Sequence, residues 1–348
     1  MTVFDAPDFD DHEQVAFFSA PEAGLKAIIA IHSTALGPAL GGCRVWPYAS
    51  DREALTDVLR LSRAMTYKHA LAGTGQGGGK SVIIADSRTD KSAALLRAFG
   101  RCVDALGGRY IVAEDVGTSA DDMAVVQSVT RHVAGLVDPS PVTAYGVFSG
   151  IKAAARHKLA RDGLAGLKVA VQGVGHVGRA LCGYLREAGA ELFVTDIDPA
   201  LVDRAQADFA AHPAALDEIY DLEVDVFAPC ALGGVLNDDT IPRLKAAIVA
   251  GAANNQLGLA RHGAALAERG ILYAPDYVIN AGGIINISFE GASYDRDGAM
   301  KQTEGIYDTL MEVFGRAEAD AAPTNEVADR MARERFAEAK ATGSARAG

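Results

Sequence analysis

The apolar positions follow two rhythms. Short continuous runs, AIIAI at 27–31, VIIA at 82–85 and YIVA at 110–113, predict strands. Over 50–72 the period lengthens: Leu55, Val58, Leu59, Ser62 and Met65 fall near one helical face, behind a capping box of Ser50 and Glu53. A second helix is predicted around 91–106. The stretch DPSPVTAYGV at 138–147 carries two prolines and marks a boundary, with a helix over 149–160 after it. From 167 to 198 the chain reads strand, tight turn, helix, strand. Further strands are predicted at 224–229, 246–252 and 270–275, with helical stretches between them. Strands alternating with helices predict a parallel sheet covered on both faces. Residues 297–340 read as charged helices, part of which is expected to return to the first unit, and the polar tail 341–348 reads as frayed.

Length and charge narrow the class. A chain of 348 residues, 49% of them hydrophobic, has core material for about two domains. A net charge of −12 argues against nucleic acid as the main partner. No apolar run approaches the roughly 20 residues that span a bilayer, and the acidic N-terminus is unlike a secretory signal. Cys43, Cys102, Cys182 and Cys230 form no C-x-x-C pair, so neither a metal site nor a disulfide framework is expected. A reducing cytoplasm fits these features.

Two glycine-rich stretches invite a nucleotide reading. At 69–80, HALAGTGQGGGK imitates a phosphate loop, but that motif would need glycine where Thr74 stands. Its context is also reversed, because the predicted strand at 81–85 follows the glycines instead of preceding them. The second stretch has the right context. Gly173, Gly175 and Gly178 follow the apolar strand 168–172 and open a helix, with Val174, His176 and Val177 between them. The first glycine permits the turn, the second lets pyrophosphate approach the backbone, and the third lets helix pack on strand. Asp196 ends the next strand about 20 residues on, where a carboxylate accepts from a ribose hydroxyl and repels a 2′-phosphate. NAD is therefore the expected cofactor.

The glycines before Lys80 must serve the other reactant. Glycines clear the space around an ammonium, and a lysine that is desolvated or crowded by another cation can act as a base. Lys68 lies late in the predicted helix, and Asp115 stands just past a predicted strand end, a usual place for catalytic groups.

Seven stretches then occur in order: GPALGG (37–42), MTYK (65–68), GGGK (77–80), AEDVGT (113–118), GVGHVG (173–178), AANNQL (252–257) and PDYVINAGGIIN (275–286). With them the chain resembles the Glu/Leu/Phe/Val amino-acid dehydrogenase superfamily, and within it the leucine dehydrogenases, over nearly its whole length. The resemblance implies an α/β protein of two domains. One is a substrate-binding and oligomerisation domain, 1–140 with a returning helix at about 322–348; the other is a Rossmann-type NAD domain, 141–321, with an active-site cleft between them. It implies a homo-oligomer formed through the N-terminal domain. It also implies reversible NAD-dependent oxidative deamination of an L-amino acid to a 2-oxo acid and ammonium. Lys68 would bind the substrate carboxylate. Lys80 would contact the carboxyl or carbonyl oxygen and activate water, and Asp115 would carry protons to and from nitrogen. Backbone groups of Gly41, Gly42, Gly77 and Gly78 would line this polar end. Asn255, or its neighbour Asn254, would contact the amino group and the nicotinamide ribose.

The resemblance also assigns the side-chain pocket to Leu40, Ala113, Ile284 and Ile287. All four are apolar, which disfavours a glutamate side chain and favours an aliphatic, branched one. Leucine dehydrogenases usually read NAGGVINV where this chain has Ile284 and Ile287, and KNAAAGLNL where it has KHALAGTGQ. A methylene is worth about 1–3 kcal/mol of discrimination, so valine or an aromatic amino acid stays open as substrate. A non-catalytic NAD-binding sensor is the reading from another class. It would be expected to have lost one of the two lysines or the aspartate, and all three are present.

Overall fold

The computed structural model describes residues 2–290 and 293–346, with side chains through 341. The chain divides into two compact units: residues 1–138 with 290–293 and 332–348, and residues 139–289 with 294–331.

The first unit carries β1 (Gln14–Ala20), β2 (Leu25–Ser33), β3 (Ala39–Trp46), α1 (Asp51–Ala72), β4 (Gly77–Ile84), α2 (Ala93–Asp104), β5 (Tyr110–Glu114) and α3 (Ala120–Gln127). Its sheet runs β1-β2-β4-β3-β5. The β1–β2 and β2–β4 pairs are antiparallel, and β3 lies parallel to both β4 and β5. Both faces are covered. Ile28 and Ala30 of β2 pack with Val82 and with Ala54, Val58 and Leu59 of α1. Ala27, Ile29 and Ile31 join a second cluster with Leu95 and Phe99 of α2 and Met123 of α3. Burial on both sides is why β2 reads as an unbroken apolar run.

The structure differs from the sequence expectations in several places. β1 and β3 are strands that the sequence expectations left out: β1 is a half-exposed edge despite its short run Val15-Ala16-Phe17-Phe18, and β3 contains Gly41, Gly42 and Arg44. The glycines of GGGK are strand, since β4 begins at Gly77, and only 73–76 form the turn. The buried stripe of α1 runs through Ala54, Val58, Ser62, Thr66 and Ala70, and Leu55 and Met65 stand at its margin. Ser50 caps this helix by accepting from the Glu53 N–H. Glu53, however, takes the N–H of Ala49 instead of closing the box on Ser50.

Strand glycines here solve a packing problem. A Cβ on Gly78 would lie 2.1 Å from the Thr66 nitrogen of α1, and one on Gly41 would lie 1.8 Å from the Gly79 oxygen. Helix and strands therefore approach to backbone contact, which no side chain would permit.

The second unit is a parallel sheet with order β11-β10-β9-β6-β7-β8. It begins with α4 (Ser140–Leu159), then β6 (Lys168–Gln172), α5 (His176–Glu187), β7 (Glu191–Thr195), α6 (Pro199–Phe209) and β8 (His212–Pro213). Next come β9 (Val226–Pro229), β10 (Ile248–Val249), α7 (His262–Glu268), β11 (Leu272–Tyr273), α8 (Asp276–Ile279) and α9 (Gly282–Ser288). The long helices α10 (Arg296–Asp320) and α11 (Thr324–Arg346) complete the chain. The strand order reverses on either side of β6, which puts the switch point of this doubly wound sheet between β6 and β9. α4 starts at Ser140, earlier than expected, because Pro141 falls in its first turn, where a missing N–H costs nothing. The tail expected to fray is helical through Arg346; its last two residues lie outside the described ones.

Gly78→Ala is expected to lower stability by about 1–3 kcal/mol, the usual cost of overpacking. A thermal melt with the transition unmoved would show that α1 does not press on β4.

Candidate active site

In the first unit the candidate residues gather on one face of the sheet. Val82 of β4 packs with α1, and a Cβ on Gly78 would strike α1, so Lys80 between them shares the α1 face. On β3, Cys43 and Val45 pack with the α2 cluster, which leaves Leu40, Gly42 and Arg44 on the opposite face. Lys80 is 5% exposed. Its Nζ lies 2.9 Å from Asp115 Oδ1, and Arg44 Nε donates to Asp115 Oδ2 at 2.9 Å. Arg44 also donates through Nη1 to Asp57 Oδ2 of α1 at 2.9 Å, and the Tyr48 hydroxyl donates to the same oxygen at 2.5 Å.

Asp115 is set by the turn that follows β5. Its backbone N–H donates to Thr118 Oγ1, whose hydroxyl reaches back to the Cys43 carbonyl of β3 at 3.0 Å. Gly117 has φ +82°, and a Cβ there would lie 2.3 Å from the Val45 oxygen. A Cβ on Gly42 would lie 2.7 Å from that of Asp115. The glycine of AEDVGT and the last glycine of GPALGG thus let the carboxylate in. Burial pushes the Asp115 pKa up, but the charges of Lys80 and Arg44 outweigh it and hold the group below the ordinary carboxylate value.

Lys68 is half-buried near the C-terminal end of α1. Its neighbour His69 is buried and shares a 2.7 Å hydrogen bond between Nδ1 and Thr74 Oγ1, which ties the turn 73–76 to the helix. Burial, and then the Lys68 charge, lower the His69 pKa to about 3, so this ring is neutral. Leu40 and Ala113 are buried, and Ala113 pairs with Gly42.

Asn255, Ile284 and Ile287 belong to the second unit. Ile284 and Ile287 stand one turn apart on α9, the first buried and the second half-buried. Asn255 follows β10 with φ +52°, a conformation asparagine adopts more readily than most residues. Its carbonyl accepts from Gly234 N–H at 2.7 Å, and Asn254 Oδ1 accepts from Asn280 at 2.7 Å.

The glycine turn after β6 suits a dinucleotide. Gly173 has φ +94°, and a Cβ there would lie 2.7 Å from Ala231 Cβ. A Cβ on Gly178 would lie 2.0 Å from the Gly173 oxygen, so only glycine allows α5 this close. Gly175, the N-cap of α5, opens on free space, where a pyrophosphate can meet the free N–H groups of that helix. Val174 is buried, and His176 is exposed at the helix start with Val177 half-buried behind it. Asp196 Oδ2 accepts from Val174 N–H at 2.8 Å, so the acid at the end of β7 also braces the turn.

Sequence reasoning passed over Arg44, Asp57 and Thr118. Arg44 follows the GPALGG stretch closely, but nothing in a single sequence says that a strand arginine reaches a carboxylate 71 residues away. Among the described residues no group of histidines, cysteines and carboxylates is arranged to hold a metal, and no helix is long and apolar enough to cross a membrane.

Residues 12–132 match the family described as Glu/Leu/Phe/Val dehydrogenase, dimerisation domain, and residues 200–341 match Glutamate/Leucine/Phenylalanine/Valine dehydrogenase. The chain is 54% identical to a leucine dehydrogenase of Thermoactinomyces intermedius, covering 97% of this chain and 94% of that protein. A leucine dehydrogenase of Geobacillus stearothermophilus is equally similar, 54% over the same shares. The crystal structure of L-tryptophan dehydrogenase from Nostoc punctiforme superposes with a TM-score of 0.87 at 49% identity, covering 94% of this chain and 97% of that one. This family and the parallel nucleotide sheet imply a nicotinamide cofactor, and the open N-terminus of α5 fits one.

Asp196→Ala removes the brace on Val174 and is expected to weaken dinucleotide binding by about tenfold, the effect of one hydrogen bond to a charged group. A fluorescence titration with NADH giving an unchanged Kd would sink that role.

Proposed function

The chain belongs to the glutamate/leucine/phenylalanine/valine dehydrogenase family, and from that premise we propose that it oxidatively deaminates a branched-chain aliphatic L-amino acid with NAD⁺. It is an amino-acid dehydrogenase of the leucine dehydrogenase type. The balanced reaction takes amino acid, NAD⁺ and water to 2-oxo acid, NADH, ammonium and a proton. The observation that carries the residue roles is the pairing of buried Lys80 with half-buried Asp115, 2.9 Å apart on a sheet face cleared by glycines.

Lys68 binds the substrate carboxylate, and backbone groups of Gly41, Gly42, Gly77 and Gly78 line that polar end. The open N-terminus of α5 would hold the dinucleotide, whose nicotinamide would supply the acceptor for the hydride of Cα. Lys80 hydrogen-bonds the substrate oxygen and directs water onto the imine carbon, and Asp115 takes and returns protons at nitrogen. The Asp115 carboxylate starts ionised, as a proton acceptor must, because two cations hold its pKa down. Asn255 contacts the amino group and the nicotinamide ribose. The tie between Asn254 and Asn280 supports Asn255 over its neighbour for this contact. Asp196 supports NAD over NADP, since a carboxylate beside the ribose repels a 2′-phosphate.

Leu40, Ala113, Ile284 and Ile287, the residues the resemblance assigns to the substrate side chain, are all apolar and offer no charged partner to a glutamate side chain. The likeness to an L-tryptophan dehydrogenase keeps an aromatic substrate as the second reading. The oligomer is proposed to form through the first unit, whose matching family is described as a dimerisation domain.

A panel of Leu, Val, Ile, Phe, Trp and Glu, assayed for NADH formation at about pH 10 with NADP⁺ as control, tests the reading. The expected outcome is turnover of a branched aliphatic acid and little of glutamate. Trp or Phe turned over faster would transfer the assignment to the aromatic reading, and silence with NADH still binding would leave a sensor. Lys80→Ala is expected to lower kcat by about 10²–10⁴-fold, the usual share of a positioned acid or base. Turnover left intact would remove Lys80 from the chemistry.

A further inference from the structure

We propose that Arg44 is a positioning residue for the proton carrier: it locks Asp115 Oδ2 and leaves Oδ1 as the oxygen that gains and loses the proton. This rests on the reading of Asp115 as that carrier. The two oxygens of the carboxylate meet different cations, Lys80 Nζ at Oδ1 and Arg44 Nε at Oδ2, each at 2.9 Å. A guanidinium does not give up its proton in a protein, so an oxygen that accepts from it stays an acceptor. An ammonium on a flexible stem has three rotatable donors and can turn from Oδ1 to a substrate.

Arg44 is itself prevented from turning. Its Nη1 donates to Asp57 Oδ2, and that oxygen also accepts from Tyr48. Asp57 stands on α1, Tyr48 just beyond β3, and Asp115 just beyond β5, so one planar group joins a helix to the ends of two strands. Lysine could not reproduce this, because a single ammonium lacks the fork that meets two carboxylates in fixed directions. Asp57 also supplies a second negative charge, so Arg44 does not act on Asp115 as an uncompensated cation. Arg44 lines an open hollow with Trp46, Thr56, Arg60 and Val116, a route by which a small cation can reach the place of the guanidinium.

The test uses the full-length enzyme with its best amino acid from the panel. Arg44→Ala, Arg44→Lys and Asp115→Asn are compared with wild type for kcat, KM, NADH affinity and melting temperature, with and without millimolar guanidinium. Arg44→Ala is expected to lose on the order of 10²-fold in kcat, the scale of a misplaced catalytic group, with NADH affinity kept. Guanidinium should restore part of that kcat in a saturable way. Arg44→Lys should fall between the two and gain nothing from guanidinium. An unchanged kcat in Arg44→Ala, or a loss that guanidinium leaves untouched, overturns the proposal. If Arg44→Ala does not fold, Arg44→Lys decides: a lowered kcat with melting and NADH binding retained supports the role, and a wild-type kcat overturns it. Asp115→Asn separates the two levels. Turnover surviving in that variant removes the proton-carrier reading and this proposal with it. Loss of turnover there, beside an indifferent Arg44→Ala, overturns this proposal alone.

Discussion

A buried ammonium is the constraint on which the first unit depends. Lys80 is almost fully enclosed, and taking an ion of that size out of water costs several kcal/mol unless an opposite charge meets it. Asp115 meets it, and Asp115 needs Arg44 in turn because it is largely buried too. The chain of charges continues to Asp57 and ends at the Tyr48 hydroxyl. Removing any interior member strands its neighbour, which explains why this polar network can sit beside a sheet of valine and isoleucine.

Glycine makes that geometry possible. Where β3, β4 and α1 converge, Gly41 and Gly78 remove the side chains that would hold the backbones apart, and Gly42 does the same toward the end of β5 and Asp115. The strand residues with the weakest intrinsic preference for a strand are thus the ones the site most needs there. Local propensity gives way to close packing, as expected where a structure serves a site and not its own stability.

The second unit relies on a different economy of backbone. Its turn after β6 combines a left-handed glycine, an open N-cap and a glycine pressed on the turn's own carbonyl. Asp196, from the neighbouring strand, fastens the turn by one hydrogen bond. A carboxylate at a strand end is therefore part of the scaffold of this turn.

The linear order of residues determined a good deal alone. Gly173, Gly175 and Gly178 between a strand and a helix, with Asp196 at the next strand end, marked the strand-turn-helix-strand unit because each step of that motif is local. The apolar runs of β2 and β5 were legible because burial on both faces leaves no polar interruption. The motifs around Lys68, Lys80 and Asp115 marked a site through resemblance, not through periodicity. The rest depended on which residues packing brings face to face. β3 and the start of β4 were hidden because their glycines mimic a loop, and the reason for those glycines lies in the neighbouring strands and α1. Arg44 was hidden because its partners, Asp57 and Asp115, lie 13 and 71 residues away, and a charge has no period that reveals what it will face once the chain is packed.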